Sequence, residues 1–481
     1  MIDKRQFYIN GNWSDPATPN DCQVIDPSTE EACAVVSLGG QADTNAAVSA
    51  AKAAFPAWMN TSPADRIAMV EKLQTVYDAR AEDMAQAISL EMGAPIALAR
   101  SQQAAAGSGH IAAFLKAAKT YEFEHPHDPG TPGSYIRNEP IGVAALITPW
   151  NWPMNQVTLK VIAAAVAGCT MVLKPSEESP LSAMVFAEMM DEAGFPPGVF
   201  NLVNGDGVGV GTQLTEHPDV DMISFTGSSR AGKLISKGAA DSLKRVSLEL
   251  GGKGANLIFA DADDAAVERG VLHCMNNSGQ SCNAPTRMIV QRDVYDAAVE
   301  KATQVAQSIK VGPASEDGDH IGPVVNKVQF DKIQDLIQKG IDEGARLVAG
   351  GVGRPDGLNR GFYVKPTVFA DVNNNMIVAR EEIFGPVLSI IPFDTEEEGI
   401  QIANNTPYGL TDYLQTQDKG RAARVARALR AGMVEVNGQS RGVGAPFGGM
   451  KQSGNGREGG TWGIEDFIEV KSVSGYDPAA V

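Results

Sequence analysis

From Gly142 onward, short apolar runs alternate with helix-length stretches, and Gly, Pro or Asn punctuates the junctions. That rhythm marks βαβ units, whose crossovers force neighbouring strands to run parallel and cover both faces of the sheet. Strands are expected over 143–148, 171–174, 199–203, 222–225 and 246–250, with helices opening near Asn155, Ser182, Gly209 and Ser229. A second α/β set follows Gly251. Its strands are expected over 256–259, 287–291, 387–392 and 433–437, and its helices over 265–275, 295–309, 327–343, 396–404 and 418–431. A chain of 481 residues exceeds one core, so two or three domains are expected. Ligands of open α/β sheets bind beyond the carboxyl ends of the strands. In the first set, each strand ends where a polar or glycine-rich motif begins.

The segment up to about Lys119 reads as a short hairpin over 7–13 followed by Ala-rich helices. Two pieces fit neither α/β set. Residues 121–125 and 134–138 alternate like paired strands around the Pro/Gly-rich turn 126–133, and 467–474 alternates near the far terminus. Exposed strands of this kind need a cover, either within the chain or from another copy of it.

Composition narrows the partners. A formal net charge of −18 opposes phosphate binding, so nucleic acid is not expected. The longest near-apolar run, 157–173, is interrupted by Lys160 and Gly168 and stops at Lys174, so no membrane span is expected. The five cysteines are odd in number and lack CxxC spacing, which argues against a disulfide framework and against a zinc site. Residues 1–10 carry charges and no apolar core, unlike a secretory or transit signal, and a cytoplasmic location is expected.

The chemistry centres on Asn277-Ser278-Gly279-Gln280-Ser281-Cys282-Asn283-Ala284, which sets one cysteine among small and polar residues beyond an apolar helical stretch. A nucleophilic thiol needs room for substrate and backbone donors nearby, whereas a structural cysteine sits among aliphatic side chains. His273, nine residues earlier, falls within the apolar-periodic helix and reads as a core or surface residue rather than as the base of a Cys/His dyad. Leu248-Glu249-Leu250-Gly251-Gly252-Lys253 places a carboxylate at a strand end. Thr148-Pro149-Trp150-Asn151-Trp152-Pro153 places an amide between two indoles. Phe225-Thr226-Gly227-Ser228-Ser229 ends a strand and opens a helix, where free N–H groups and the helix dipole suit a pyrophosphate. The glycine run from Gly205 through Gly207 to Gly211 misses GxGxxG by one residue in each register.

Together with Lys174-Pro175-Ser176-Glu177 and Glu381-Glu382-Ile383-Phe384-Gly385-Pro386-Val387, these motifs make the chain resemble the aldehyde dehydrogenase superfamily nearly end to end. The resemblance implies two Rossmann-like parallel-sheet α/β domains with a small β oligomerisation hairpin and tail. The NAD(P)-binding part would comprise 1–120 and 140–250, the catalytic part 251–455, and the oligomerisation segment 121–139 and 456–481, giving a homodimer or homotetramer.

For the site, the resemblance implies that Cys282 adds to an aldehyde and that Asn151 and the Cys282 N–H hold the oxyanion. Glu249 would activate the water that hydrolyses the thioester, with Lys160 and Glu458 as a proton relay behind it. A glutamate at 249 implies hydrolysis rather than transfer to coenzyme A, which stays open as an alternative, as does a non-catalytic relative that keeps only the scaffold. The cofactor surface is implied at Thr148, Pro149, Trp150, Lys174, Ser176, Glu177, Gly207, Phe225, Thr226, Gly227, Ser228, Leu250, Gly251, Glu382 and Phe384. A carboxylate at Glu177 accepts from both ribose hydroxyls and repels a 2′-phosphate, which favours NAD, while Lys174 keeps NADP open. Trp152, Gln156, Leu159, Ser281, Asn283 and Phe447 are the implied substrate contacts. Arg441 departs from the apolar residues expected near the tunnel mouth. It reads either as a carboxylate-recognising group or as a solvated loop arginine.

Overall fold

The computed structural model describes residues 1–475 and 477; the expected oligomerisation segment therefore runs, at its end, outside the described residues. Two seven-stranded sheets dominate. The first is ordered Arg245–Glu249, Met222–Thr226, Val143–Ile147, Thr170–Lys174, Phe200–Leu202, Phe7–Ile9 and Asn12–Ser14. Its first five strands are parallel, and the expected N-terminal hairpin is added antiparallel at one edge. The strands Val143–Ile147, Thr170–Lys174 and Met222–Thr226 are buried at every residue, which is why they read as unbroken apolar runs rather than alternating ones.

Strand order reverses between Val143–Ile147 and Met222–Thr226: the chain first builds outward through Thr170–Lys174 and then returns to the other side. Ile147 pairs in register with Phe225, and Thr226 with Glu249. Thr148-Pro149-Trp150, Gly227-Ser228 and Leu250-Gly251 therefore emerge together at the switch point, where an open α/β sheet binds its ligand.

The second sheet is ordered Arg346–Ala349, Thr367–Ala370, Val387–Phe393, Arg287–Gln291, Ala255–Ile258, Thr411–Gln415 and Met433–Val436, parallel except for its first pair. Ala255 pairs with Arg287 and Arg287 with Ser389, so the segments just before these strands converge on one edge. Those segments carry Gly251-Gly252, Cys282 and Phe384. The carboxyl edge of the first sheet thus meets the amino edge of the second.

Packed between the first sheet and the helix Ala105–Ala118 lies Pro153–Ala167, apolar nearly all round and buried at every position but Asn155. A smaller antiparallel sheet joins Glu124–Pro126, Ser134–Pro140 and Ile468–Ser474, close to the expected boundaries. Three further strands form a small sheet that was not foreseen, with Glu31–Ser37 paired to Ile2–Lys4 on one side and to Asp21–Asp26 on the other. The helix expected near Gly209 is a π-helical turn, Gly207–Gly211, running into Thr212–Glu216. Among the described residues no helix is long and apolar enough to cross a membrane.

Candidate active site

The loop before Cys282 is held in an uncommon shape. Asn277, Ser278 and Gly279 have φ of 52°, 57° and 72°, three successive left-handed residues. Such conformations cost of order 1 to 3 kcal/mol each for non-glycine residues and persist only where the surroundings impose them. Here they do: Ser278 Oγ donates to the Gly322 carbonyl at 2.7 Å, and Gln280 Oε1 accepts from the Val325 N–H at 2.9 Å. A Cβ on Gly279 would stand 2.0 Å from the Gly385 carbonyl oxygen, so no other residue fits. Likewise a Cβ on Gly252 would stand 2.4 Å from the Cys282 carbonyl oxygen.

Asn151 meets this loop from the first sheet. Its Nδ2 donates to the Gln280 carbonyl at 3.0 Å, which orients the amine toward the loop. Its backbone carbonyl accepts from Gln103 Nε2 at 3.1 Å and Asn277 Nδ2 at 2.9 Å. One of the two Nδ2 hydrogens serves that bond and the other remains for a ligand. Among the described residues, the Cys282 N–H goes to no other residue's backbone carbonyl.

Cys282 is half-buried, and burial with the nearby charges of Glu382 and Glu249 pushes its thiol up, while its own N–H works the other way. The thiol is thus held protonated until a base takes its proton. Glu249 ends the strand Arg245–Glu249 and is 2% exposed, yet no donor among the described residues reaches either carboxylate oxygen. Burial and the charge of Glu458 drive its carboxyl well above the ordinary range, against Lys160 and Arg457. Lys160 Nζ donates to Glu458 Oε1 at 2.5 Å in a buried pair, on the helix behind Asn151. Sulfur, amide and carboxylate, far apart in sequence, therefore share one region.

A cleft of about 220 Å³ opens on it, lined by Pro149, Trp150, Asn151, Thr226, Gly227, Ser228, Leu250, Gly251, Cys282, Gln329, Lys332, Glu382 and Phe384. Among these, Gln329 and Lys332 were not anticipated. They lie three residues apart on one face of the helix Lys327–Asp342. Gln329 Nε2 donates to the carbonyls of Ile383 (3.0 Å) and Phe384 (2.8 Å), bracing a turn in which Phe384 has φ of 60° and meets the Trp150 ring edge-on at 5.5 Å. Glu382 Oε1 accepts from the Gly252 N–H at 2.8 Å.

The cleft suits a dinucleotide on two observations. Thr226 Oγ1 is buried in its wall with no partner among the described residues, and Ser228 caps the helix Ser229–Ala240 by accepting from the Ala231 N–H at 3.2 Å. Thr148, Lys174, Ser176, Glu177, Gly207 and Phe225 do not line it. They lie in or just beyond the carboxyl ends of the same sheet, along one rim. Lys174 is 3% exposed, and its ammonium is spent on the carbonyls of Pro175 (2.8 Å) and Gly205 and on Glu177 (3.5 Å).

On the other side of Cys282, Trp152 Nε1 donates to Ser281 Oγ at 2.7 Å, and the Tyr413 hydroxyl donates to the Asn283 carbonyl at 2.7 Å. Gln156 and Leu159 are each 2% exposed. The expectation of a solvated Arg441 is corrected: the guanidinium is half-buried and stacked 5.1 Å over the Phe447 ring, whose backbone pairs with Glu458. His273 packs edge-on against Tyr413 at 4.9 Å and faces a separate groove, consistent with its rejection as a base.

Comparison with known proteins decides the family. Residues 13–473 match the aldehyde dehydrogenase family. The chain belongs to the aldehyde dehydrogenase family. An aldehyde dehydrogenase from Bartonella henselae is 60% identical, with a TM-score of 0.98 over 99% of this chain and 100% of its own. A cysteine-to-alanine variant of aldehyde dehydrogenase C from Pseudomonas syringae, solved with NAD+ and octanal, is 49% identical with a TM-score of 0.96 over 99% and 98%. A 3-succinoylsemialdehyde-pyridine dehydrogenase from a Pseudomonas species is 49% identical over 99% of this chain and all of its own. This aldehyde dehydrogenase thus shares its fold end to end with oxidoreductases of that family.

Proposed function

We propose that the enzyme oxidises an aldehyde to the free carboxylic acid with NAD as acceptor, through a thioester on Cys282. The carrying observation is the convergence of Cys282, Asn151 and the unpartnered carboxylate of Glu249 beside the cleft. The Cys282 sulfur adds to the aldehyde carbon while its proton leaves toward Glu249, the carboxylate whose charge it feels most strongly within the first sheet. The new oxyanion is met by the remaining Asn151 N–H and the Cys282 N–H, fixed dipoles needing no reorganisation. NAD, when bound, supplies the acceptor for the hydride that leaves the tetrahedral carbon.

The resulting acyl group is a thioester, and Glu249 removes a proton from the water that cleaves it. Lys160 and Glu458 carry that proton away and set the charge around Glu249. Pro149, Trp150, Thr226, Gly227, Ser228, Leu250, Gly251, Glu382 and Phe384 hold the nicotinamide half and the phosphates. Lys174, Ser176, Glu177 and Gly207 hold the adenosine. Because Lys174 is consumed by internal acceptors, it offers no free charge to a 2′-phosphate, and Glu177 beside it repels one, which supports NAD over NADP.

The division into nucleotide-binding, catalytic and oligomerisation parts follows the two large sheets and the small one. We read the enzyme as a cytoplasmic homo-oligomer. The outer strand Ile468–Ser474 supports this, with Val470 69% exposed on an edge that another copy can cover. NADH formation from an aldehyde panel, with and without coenzyme A and with NAD against NADP, tests the reading. Acid release with NAD alone is expected. Turnover that requires coenzyme A, or a clear preference for NADP, contradicts it.

A further inference from the structure

Four buried amide residues close a ring of hydrogen bonds next to the cysteine loop. Gln103 Nε2 donates to the Asn151 carbonyl at 3.1 Å and to Asn277 Oδ1 at 3.3 Å. Asn277 Nδ2 donates to the same Asn151 carbonyl at 2.9 Å and to the Gln280 carbonyl at 3.3 Å. Asn151 Nδ2 completes the circuit on the Gln280 carbonyl at 3.0 Å. Gln103, Asn151, Asn277 and Gln280 are 0%, 3%, 2% and 1% exposed, so bulk water does not compete for these bonds.

Gln103 reaches the ring from a π-helical turn, Ala99–Ala104, set between the short helix Ile96–Leu98 and the helix Ala105–Ala118. Such turns are rare and recur at functional sites. This one is held from behind by the Tyr77 hydroxyl, which donates to the Ala104 carbonyl at 2.8 Å. It meets the cysteine loop a second time where Gln102 Oε1 accepts from Asn276 Nδ2 at 3.0 Å. Gln103 Oε1 is buried with no partner among the described residues, a cost that an apolar side chain would avoid. What the amide supplies is direction. Its amine and that of Asn277 fix the Asn151 carbonyl, and Gln280 takes one Asn151 Nδ2 hydrogen, which sets where the other one points. We propose that Gln103 is a positioning residue for the oxyanion site, holding Asn151 against the cysteine loop so that its free N–H faces the carbon attacked by Cys282.

This rests on the oxyanion role of Asn151 proposed above, and a double-mutant cycle separates the two. kcat and KM are measured for the parent, Gln103→Met, Asn151→Ala and the double variant, with thermal melting to verify folding. Methionine keeps the length of the side chain and loses the donor. A displacement of 1 Å in a reacting geometry costs about 100-fold; with Asn277 still anchoring Asn151, Gln103→Met should lower kcat about 10-fold and leave KM for NAD unchanged. In the Asn151→Ala background the same substitution should change kcat less than about twofold, because the group it positions is gone. No side chain of the ring titrates, so the pH profile of Gln103→Met should run parallel to the parent's. Tyr77→Phe, which loosens the turn from behind, should give a smaller fall with the same dependence on Asn151, and it keeps the test intact if Gln103→Met does not fold. A fall of equal size in both backgrounds, a displaced acid limb, or an unchanged kcat beside a lowered one in Asn151→Ala overturns the positioning role. Parent activity in Asn151→Ala overturns the proposed oxyanion site instead.

Discussion

Replacing Asn151 by alanine isolates one contribution to the barrier. The side-chain amine makes one internal bond, 3.0 Å to the Gln280 carbonyl, so its loss costs stability only about 1 kcal/mol. The backbone at 151 keeps its two anchors on Gln103 and Asn277, so the loop and Cys282 hold their places. What disappears is a donor aimed where negative charge develops, worth about 3 to 4 kcal/mol, or about 10²- to 10³-fold in rate. Because that bond strengthens only as the oxyanion forms, kcat and kcat/KM should fall together. Stopped-flow NADH formation gives the chemical step directly, and urea denaturation gives the small stability change separately. A variant whose kcat stays within about threefold of the parent, or whose loss lies wholly in KM, refutes the assignment.

The raised carboxyl of Glu249 has a pH consequence. Thioester hydrolysis needs its ionised form, so the rate climbs as pH rises through its elevated pKa. Glu458→Gln removes the charge that most opposes ionisation and leaves Lys160 unpaired, so the acid limb should move to lower pH; an unmoved or upward-shifted limb in single-turnover acyl hydrolysis contradicts this. Arg287 is fully buried and donates to the carbonyls of Lys253, Ile402 and Ala403, stitching the amino edge of the second sheet. Arg287→Met strands those acceptors, and urea unfolding should show a loss of about 3 to 5 kcal/mol; a loss below about 1 kcal/mol would mean the edge does not depend on it.

Sequence carried the first sheet well because strands such as Met222–Thr226 are buried on both faces and written in apolar residues. It failed at Thr411–Gln415, a central strand written Thr-Asp-Tyr-Leu-Gln. There Asp412 is buried by accepting from the Ala255 N–H, and Gln415 by donating to Asn256, so tertiary pairing makes polar residues into core. The same distinction runs through the site. Cys282, Glu249 and Asn151 were singled out by the resemblance of their motifs to the family, since each motif taken alone also admits a structural reading. Gln329 and Lys332 reach the cleft from a helix of another sheet layer, and nothing local marks which face of it turns inward. Arg441 stood out as a departure, but its stacking on Phe447 depends on a loop returning over residues 447–458.

The central claim is that one thioester forms on Cys282 and that Glu249 is needed to hydrolyse it. Glu249→Gln enzyme, mixed with NAD and excess aldehyde, quenched in acid, digested and weighed, tests it most directly. The account predicts a burst of one NADH per subunit followed by near-arrest, with the acyl mass on the peptide that contains Cys282. Steady turnover at the parent rate without an adduct, or an acyl group on another residue such as Cys274, would contradict it.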